Sequence, residues 1–99
     1  MKNSYALITG ASSGIGLEIA KNLAERGYNL VLTARREDLL ESLANDITSK
    51  TDVKVDFISK DLSKKDAPKQ IFEFCESKNY QIDFLVNNAG YGIKTSFHE

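Results

Sequence analysis

Short apolar runs along this chain alternate with longer stretches whose apolar residues recur every three or four positions. Tyr5-Ala6-Leu7-Ile8, Leu30-Val31-Leu32, Val53-Val55-Phe57-Ile58 and Phe84-Leu85-Val86 are the short runs. None has the strict polar alternation of a half-exposed strand, so each predicts a strand covered on both faces of a parallel sheet. Between them, Ile15, Ile19 and Leu23 recur at i, i+4 and i+8, with Ala20 and Ala24 beside them. That spacing predicts a helix with one buried stripe, which Gly27 is placed to stop. Leu39, Leu40, Leu43 and Ile47 mark a second helix, and Ile71, Phe74 and Cys75 a third within 63–78. Pro68 is tolerable in the first turn of that third helix.

The order is βαβαβαβ, which predicts an α/β fold: one domain over 1–99, with a Rossmann-type doubly wound parallel sheet of strand order 3-2-1-4. Right-handed crossovers then put the first two helices on one face and the third on the other. Sheets of this kind bind ligands at the carboxyl ends of their strands, where the winding reverses, here between the first and fourth strands.

The sequence Thr9-Gly10-Ala11-Ser12-Ser13-Gly14-Ile15-Gly16 joins the first strand to the first helix. A pyrophosphate needs backbone N–H groups with no Cβ in the way, and gains from the positive end of a helix dipole. Gly10 suits the tight turn, Gly14 close approach of a ligand, and Gly16 close packing of helix on sheet. Ser12 and Ser13 add hydroxyl donors, and Ile15 completes the loop. The spacing is GxxxGxG with no GK[ST] after it, so this is not a P-loop.

The second strand ends in Leu32-Thr33-Ala34-Arg35-Arg36. An acidic side chain at that place accepts hydrogen bonds from the ribose hydroxyls of NAD and repels a 2′-phosphate. Ala34 stands there instead, followed by Arg35, whose guanidinium offers a phosphate paired donors and a permanent charge. NADP is therefore expected over NAD, with Arg35 on the phosphate. For Arg36, phosphate binding and a role solvating the start of the second helix near Glu37 and Asp38 remain equal alternatives.

The fingerprint TGxxxGxG, matched at every fixed position from Thr9 to Gly16, together with Asn87-Asn88-Ala89-Gly90 after the fourth strand, resembles the compact branch of the short-chain dehydrogenases/reductases. The resemblance runs from Tyr5 to Gly92. It implies that Asp61 bonds the adenine amino group and that the backbone N–H of Leu62 meets the ring. It also implies that Asn87 helps hold the central sheet together, while Ala89 and Gly90 let the cofactor ribose pass. A second role for Asp61, at the start of the third helix, is compatible with the first.

Composition narrows the picture. Thirteen Lys and Arg against fourteen Asp and Glu give a net charge of −1, without the basic stripe of a nucleic-acid binder. Cys75 is the single cysteine and His98 the single histidine, so neither an internal disulfide nor a Cys/His metal site is expected. No signal-peptide pattern and no membrane-length apolar stretch is present, and a cytoplasmic location is the default expectation.

The family's catalytic pattern, a Ser followed by Tyr-x-x-x-Lys, is missing: Tyr5, Tyr28, Tyr80 and Tyr91 are followed four residues later by Thr9, Leu32, Phe84 and Thr95. The expectation is a truncated cofactor-binding half of an NADP-dependent oxidoreductase, inactive alone. In its complete form it would act on a small-molecule alcohol or carbonyl and form homo-oligomers, as relatives do. A non-enzymatic nucleotide-binding module is the competing class, and a downstream Tyr-x-x-x-Lys distinguishes the two. Truncation is also expected to leave the second and fourth strands with exposed apolar surface.

Overall fold

The computed structural model describes residues 4–11, 14–61 and 64–87. Over these the chain runs β1 (Ser4–Thr9), α1 (Gly14–Glu25), β2 (Asn29–Ala34), α2 (Glu37–Lys50), β3 (Val55–Ser59), α3 (Ala67–Ser77) and β4 (Gln81–Asn87). The four strands form one sheet of order β3-β2-β1-β4, parallel throughout. This is the doubly wound arrangement that the alternating pattern predicts.

Two apolar cores lie on opposite faces. On one, Ala6, Ile8, Leu30, Leu32 and Ala34 of the sheet meet Ala20 and Ala24 of α1 and Leu40, Leu43 and Ile47 of α2. On the other, Tyr5, Leu7 and Val31 meet Ala67, Ile71 and Cys75 of α3. Leu30, Val31 and Leu32 are all 0% exposed, which corrects the expectation that the second strand lies partly bare. A single helix suffices on the second face because Val31 is covered there, while α1 and α2 cover Leu30 and Leu32. The expectation holds for β4, where Phe84 is 36% exposed and stacks edge-on against Tyr28 at 5.0 Å.

The helical stripes are narrower than their periodicity suggests. In α1 the buried positions are Gly16, Ala20 and Ala24, and Ile15 is 68% exposed, so Ile15 does not belong to the inner stripe. In α2 the buried set is Leu40, Leu43, Ala44 and Ile47, one position round from Leu39, which is 42% exposed. Small residues on α1 let it lie close to the sheet, which turns the larger flanking side chains outward. Val53 precedes β3 instead of belonging to it: pairing with β2 begins at Leu30↔Val55.

Strand β4 carries a bulge. Tyr5 pairs with Ile82 and Ala6 with Phe84, so Asp83 has no partner in the ladder. The extra residue reverses the alternation, which places both Ile82 and Leu85 on the α3 face and Val86 on the other.

Helices α1 and α3 end alike. Gly27 (φ 95°) follows α1, with Tyr28 N–H donating to the Leu23 carbonyl and Gly27 N–H to Ala24. Asn79 (φ 63°) follows α3, with Tyr80 N–H donating to Cys75 and Asn79 N–H to Glu76. Both are Schellman caps, whose left-handed residue suits Gly and, less well, Asn. After its cap, Tyr80 stacks on Tyr5 at 4.0 Å between centroids and donates its hydroxyl to Asp56 Oδ2 at 2.7 Å. Burial first, and then the Asp56 carboxylate, push the Tyr80 phenol well above its ordinary range.

Two tests follow from the caps and the phenol. Gly27→Ala is expected to destabilise by about 1–2 kcal/mol, the cost of a Cβ in left-handed backbone, and Asn79→Gly to stabilise modestly; denaturant midpoints measure both. The raised Tyr80 pKa means the unfolded chain releases this proton first, so the phenol's contribution is intact below about pH 10 and is lost above it. Tyr80→Phe should flatten that alkaline decline, read as unfolding free energy against pH.

Candidate functional site

The parallel registers bring four chain segments to one edge of the sheet. Thr9 pairs with Thr33 on one side and with Asn87 on the other, and Ala34 pairs with Ser59. Gly10, Arg35, Lys60 and Asn87 therefore stand at the same end of the sheet. Strand β1 is where the winding reverses, with α1 returning to β2 and α3 delivering the chain to β4 on the far side.

The turn after β1 begins at Gly10, whose φ of 67° places it in left-handed backbone. Ala11, fully buried, donates its N–H to the Thr33 carbonyl at 3.2 Å, which seats the loop against the end of β2. Gly14 opens α1, and a Cβ there would meet no described atom within 4 Å. That space lies beside the N-terminus of a 12-residue helix, the positive end of its dipole. Gly16 is buried in the first turn, as close helix–sheet packing requires, and the Ile15 side chain stands out beside it.

Arg35 follows β2 and is exposed. Its backbone is held from β3: Ser59 Oγ donates to the Arg35 carbonyl at 2.9 Å, and Lys60 N–H to the Ala34 carbonyl at 2.9 Å. Arg36 is the residue preceding α2, and its guanidinium is engaged: Nε donates to Asp38 Oδ1 at 3.2 Å and Nη2 to Oδ2 at 3.0 Å. This pairing raises the Arg36 pKa and lowers that of Asp38. Arg36 thus pairs with a carboxylate of the first turn of α2.

Asp61 follows β3, and its carbonyl accepts the Lys64 N–H at 2.9 Å. Helix α3 begins only at Ala67, after Asp66, so Asp61 does not lie in its first turn. With Pro68 in the first turn, the helix starts here rather than nearer Ser63. Asn87 closes β4 opposite Thr9. Ser12, Ser13, Leu62, Ala89 and Gly90 lie outside the described residues.

Sequence reasoning gave Thr9 no role beyond matching the fingerprint. Its hydroxyl donates to the Val86 carbonyl at 3.3 Å, clamping β1 to β4 at the switch point. A small hydroxyl at a strand's last position, where ladder pairing ends, is the signal for such a clamp. Thr33 beside it is 0% exposed, and its Oγ1 has no hydrogen-bond partner among the described residues.

A parallel sheet wound in this order, with a glycine turn feeding a helix at the reversal, defines a dinucleotide-binding class of fold. The sequence profile of the short chain dehydrogenases matches residues 4–99. The chain belongs to that family. It is 41% identical over 88 residues to the very-long-chain 3-oxoacyl-CoA reductase of Candida glabrata, covering 87% of this chain and 24% of that protein. It is 38% identical to the fatty acyl-CoA reductase of Acinetobacter baylyi, covering 100% of this chain and 33% of that one. The crystal structure of L-sorbose reductase from Gluconobacter frateurii, complexed with NADPH and L-sorbose, superposes with a TM-score of 0.82 at 36% identity, over 97% of this chain and 38% of that one. The chain thus spans between a quarter and two fifths of these relatives. No described helix is long and apolar enough to cross a membrane.

Thr33→Val replaces a buried, unpartnered hydroxyl by a methyl of similar shape. It is expected to leave stability unchanged or raise it by up to about 1 kcal/mol. Thr9→Val removes the Val86 clamp and is expected to cost about 1 kcal/mol, with faster amide exchange at the end of β4. Thermal melts and hydrogen exchange test the pair.

Proposed function

We propose that this chain binds NADP(H) along the carboxyl edge of its sheet and forms the cofactor-binding part of an oxidoreductase that interconverts small-molecule carbonyls and alcohols in the cytoplasm. The observation carrying the reading is Arg35, an exposed guanidinium on a backbone fixed by Ser59 and Lys60, directly after Ala34. At that place an acid would favour NAD and repel the extra phosphate.

The remaining residues fit the same ligand. Gly10 makes the turn, Gly14 leaves open space, and the positive end of the α1 dipole suits a diphosphate. Ser12 and Ser13 add hydroxyls to that cradle. Ile15 supplies an apolar contact, Asp61 and the Leu62 N–H address the adenine, and Asn87, Ala89 and Gly90 border the ribose beside the nicotinamide. When bound, the nicotinamide supplies or accepts the hydride; these residues bind and orient. The family's pattern, a Ser followed by Tyr-x-x-x-Lys, would supply proton transfer, and this chain's own residues are assigned no part in it. NADPH in the sorbose reductase complex supports the choice of cofactor.

A charge-assisted hydrogen bond contributes roughly 1.5–3 kcal/mol, so losing Arg35 should weaken NADP(H) by about ten-fold or more. Ala34→Asp combined with Arg35→Ala should lower NADP(H) affinity and raise that for NAD(H), measured by fluorescence titration of the intact protein. An unchanged ratio sinks the assignment.

A further inference from the structure

The Arg36–Asp38 pair stands at the same end of β2 as Arg35, and the cofactor reading above leaves Asp38 unused. Both side chains are exposed, 66% and 68%, yet the guanidinium is forked onto both carboxylate oxygens. The other charges in this short stretch are Arg35, Glu37 and, at the end of β3, Lys60. Two adjacent arginines would ordinarily offer a monoester phosphate two forks. Here one fork is already filled by a carboxylate two residues along the chain.

The geometry points to Asp38 as a selectivity-determining residue: it holds Arg36 off the 2′-phosphate, so that Arg35 alone grips it. This inference rests on the NADP reading and deepens it. Asp38 lies in the first turn of α2, where a carboxylate is favoured by the helix dipole, so its position is held independently of Arg36. An exposed pair of this kind opposes release of its arginine by a factor of at most about five. Asp38 therefore trims selectivity without abolishing it. NAD, with no phosphate at that place, is indifferent to the pair.

The test is a double-mutant cycle in the intact protein, titrated with NADPH and with NADH. Asp38→Asn should tighten NADPH by about two- to five-fold and leave NADH unchanged. Arg36→Gln in the natural background should change NADPH binding less than two-fold, and in the Asp38→Asn background should cancel the gain. Three results overturn the inference: no gain in Asp38→Asn, a gain that survives Arg36→Gln, or a loss in Arg36→Gln alone as large as that in Arg35→Ala. Absence of any Arg35→Ala effect is different, because it removes the NADP reading itself.

Discussion

Strand β1 is hydrogen-bonded on both sides, and the carboxyl edge of the sheet, where the glycine turn and Arg35 lie, depends on it. Its pairing with β2 and β4 sets three chain exits level at one end of the sheet. Helices α1 and α3 pack on opposite faces, and no described helix crosses the space between those exits. The gap is a by-product of winding, and evolution needs only to dress it. Thr9 is both the last rung of the ladder and the side-chain clamp to Val86, so the reversal is braced where it is most exposed to opening.

The dressing is mostly backbone. Gly10 turns in left-handed space, Ala11 is tied to Thr33, and the carbonyls of Ala34 and Arg35 are each held from β3. These contacts fix where Arg35 starts while leaving its side chain in solvent. A guanidinium on a rigid root and a flexible stem loses less freedom on meeting a phosphate than one on a mobile loop.

The alternation of apolar runs made the parallel sheet legible, and the order 3-2-1-4 and the side of the sheet each helix takes followed from taking that sheet as doubly wound. Helix facing was less legible. Ile15 keeps helical spacing with its neighbours but falls off the inward arc, because the small Gly16, Ala20 and Ala24 form the face of α1 against the sheet, and Leu39 lies one position round from the Leu40, Leu43 and Ile47 face of α2. The glycine turn could be read from residue type alone, since Gly10 takes left-handed backbone and Gly14 opens α1. The Thr9 clamp, the Ser59 tie and the Arg36–Asp38 fork join groups whose partners only the folded registers reveal. The Asp83 bulge likewise had no sequence signal: Ile82 and Leu85 share a face only because one residue is skipped.

The phenol of Tyr80 has a mechanical consequence. It leaves the chain just before one outer strand, lies over Tyr5, and ends on Asp56 of the opposite outer strand. Each outer strand has a single ladder partner among the described residues and would ordinarily fray by itself. This girdle ties the two margins of the sheet together, so that opening either one costs a contact shared with the other.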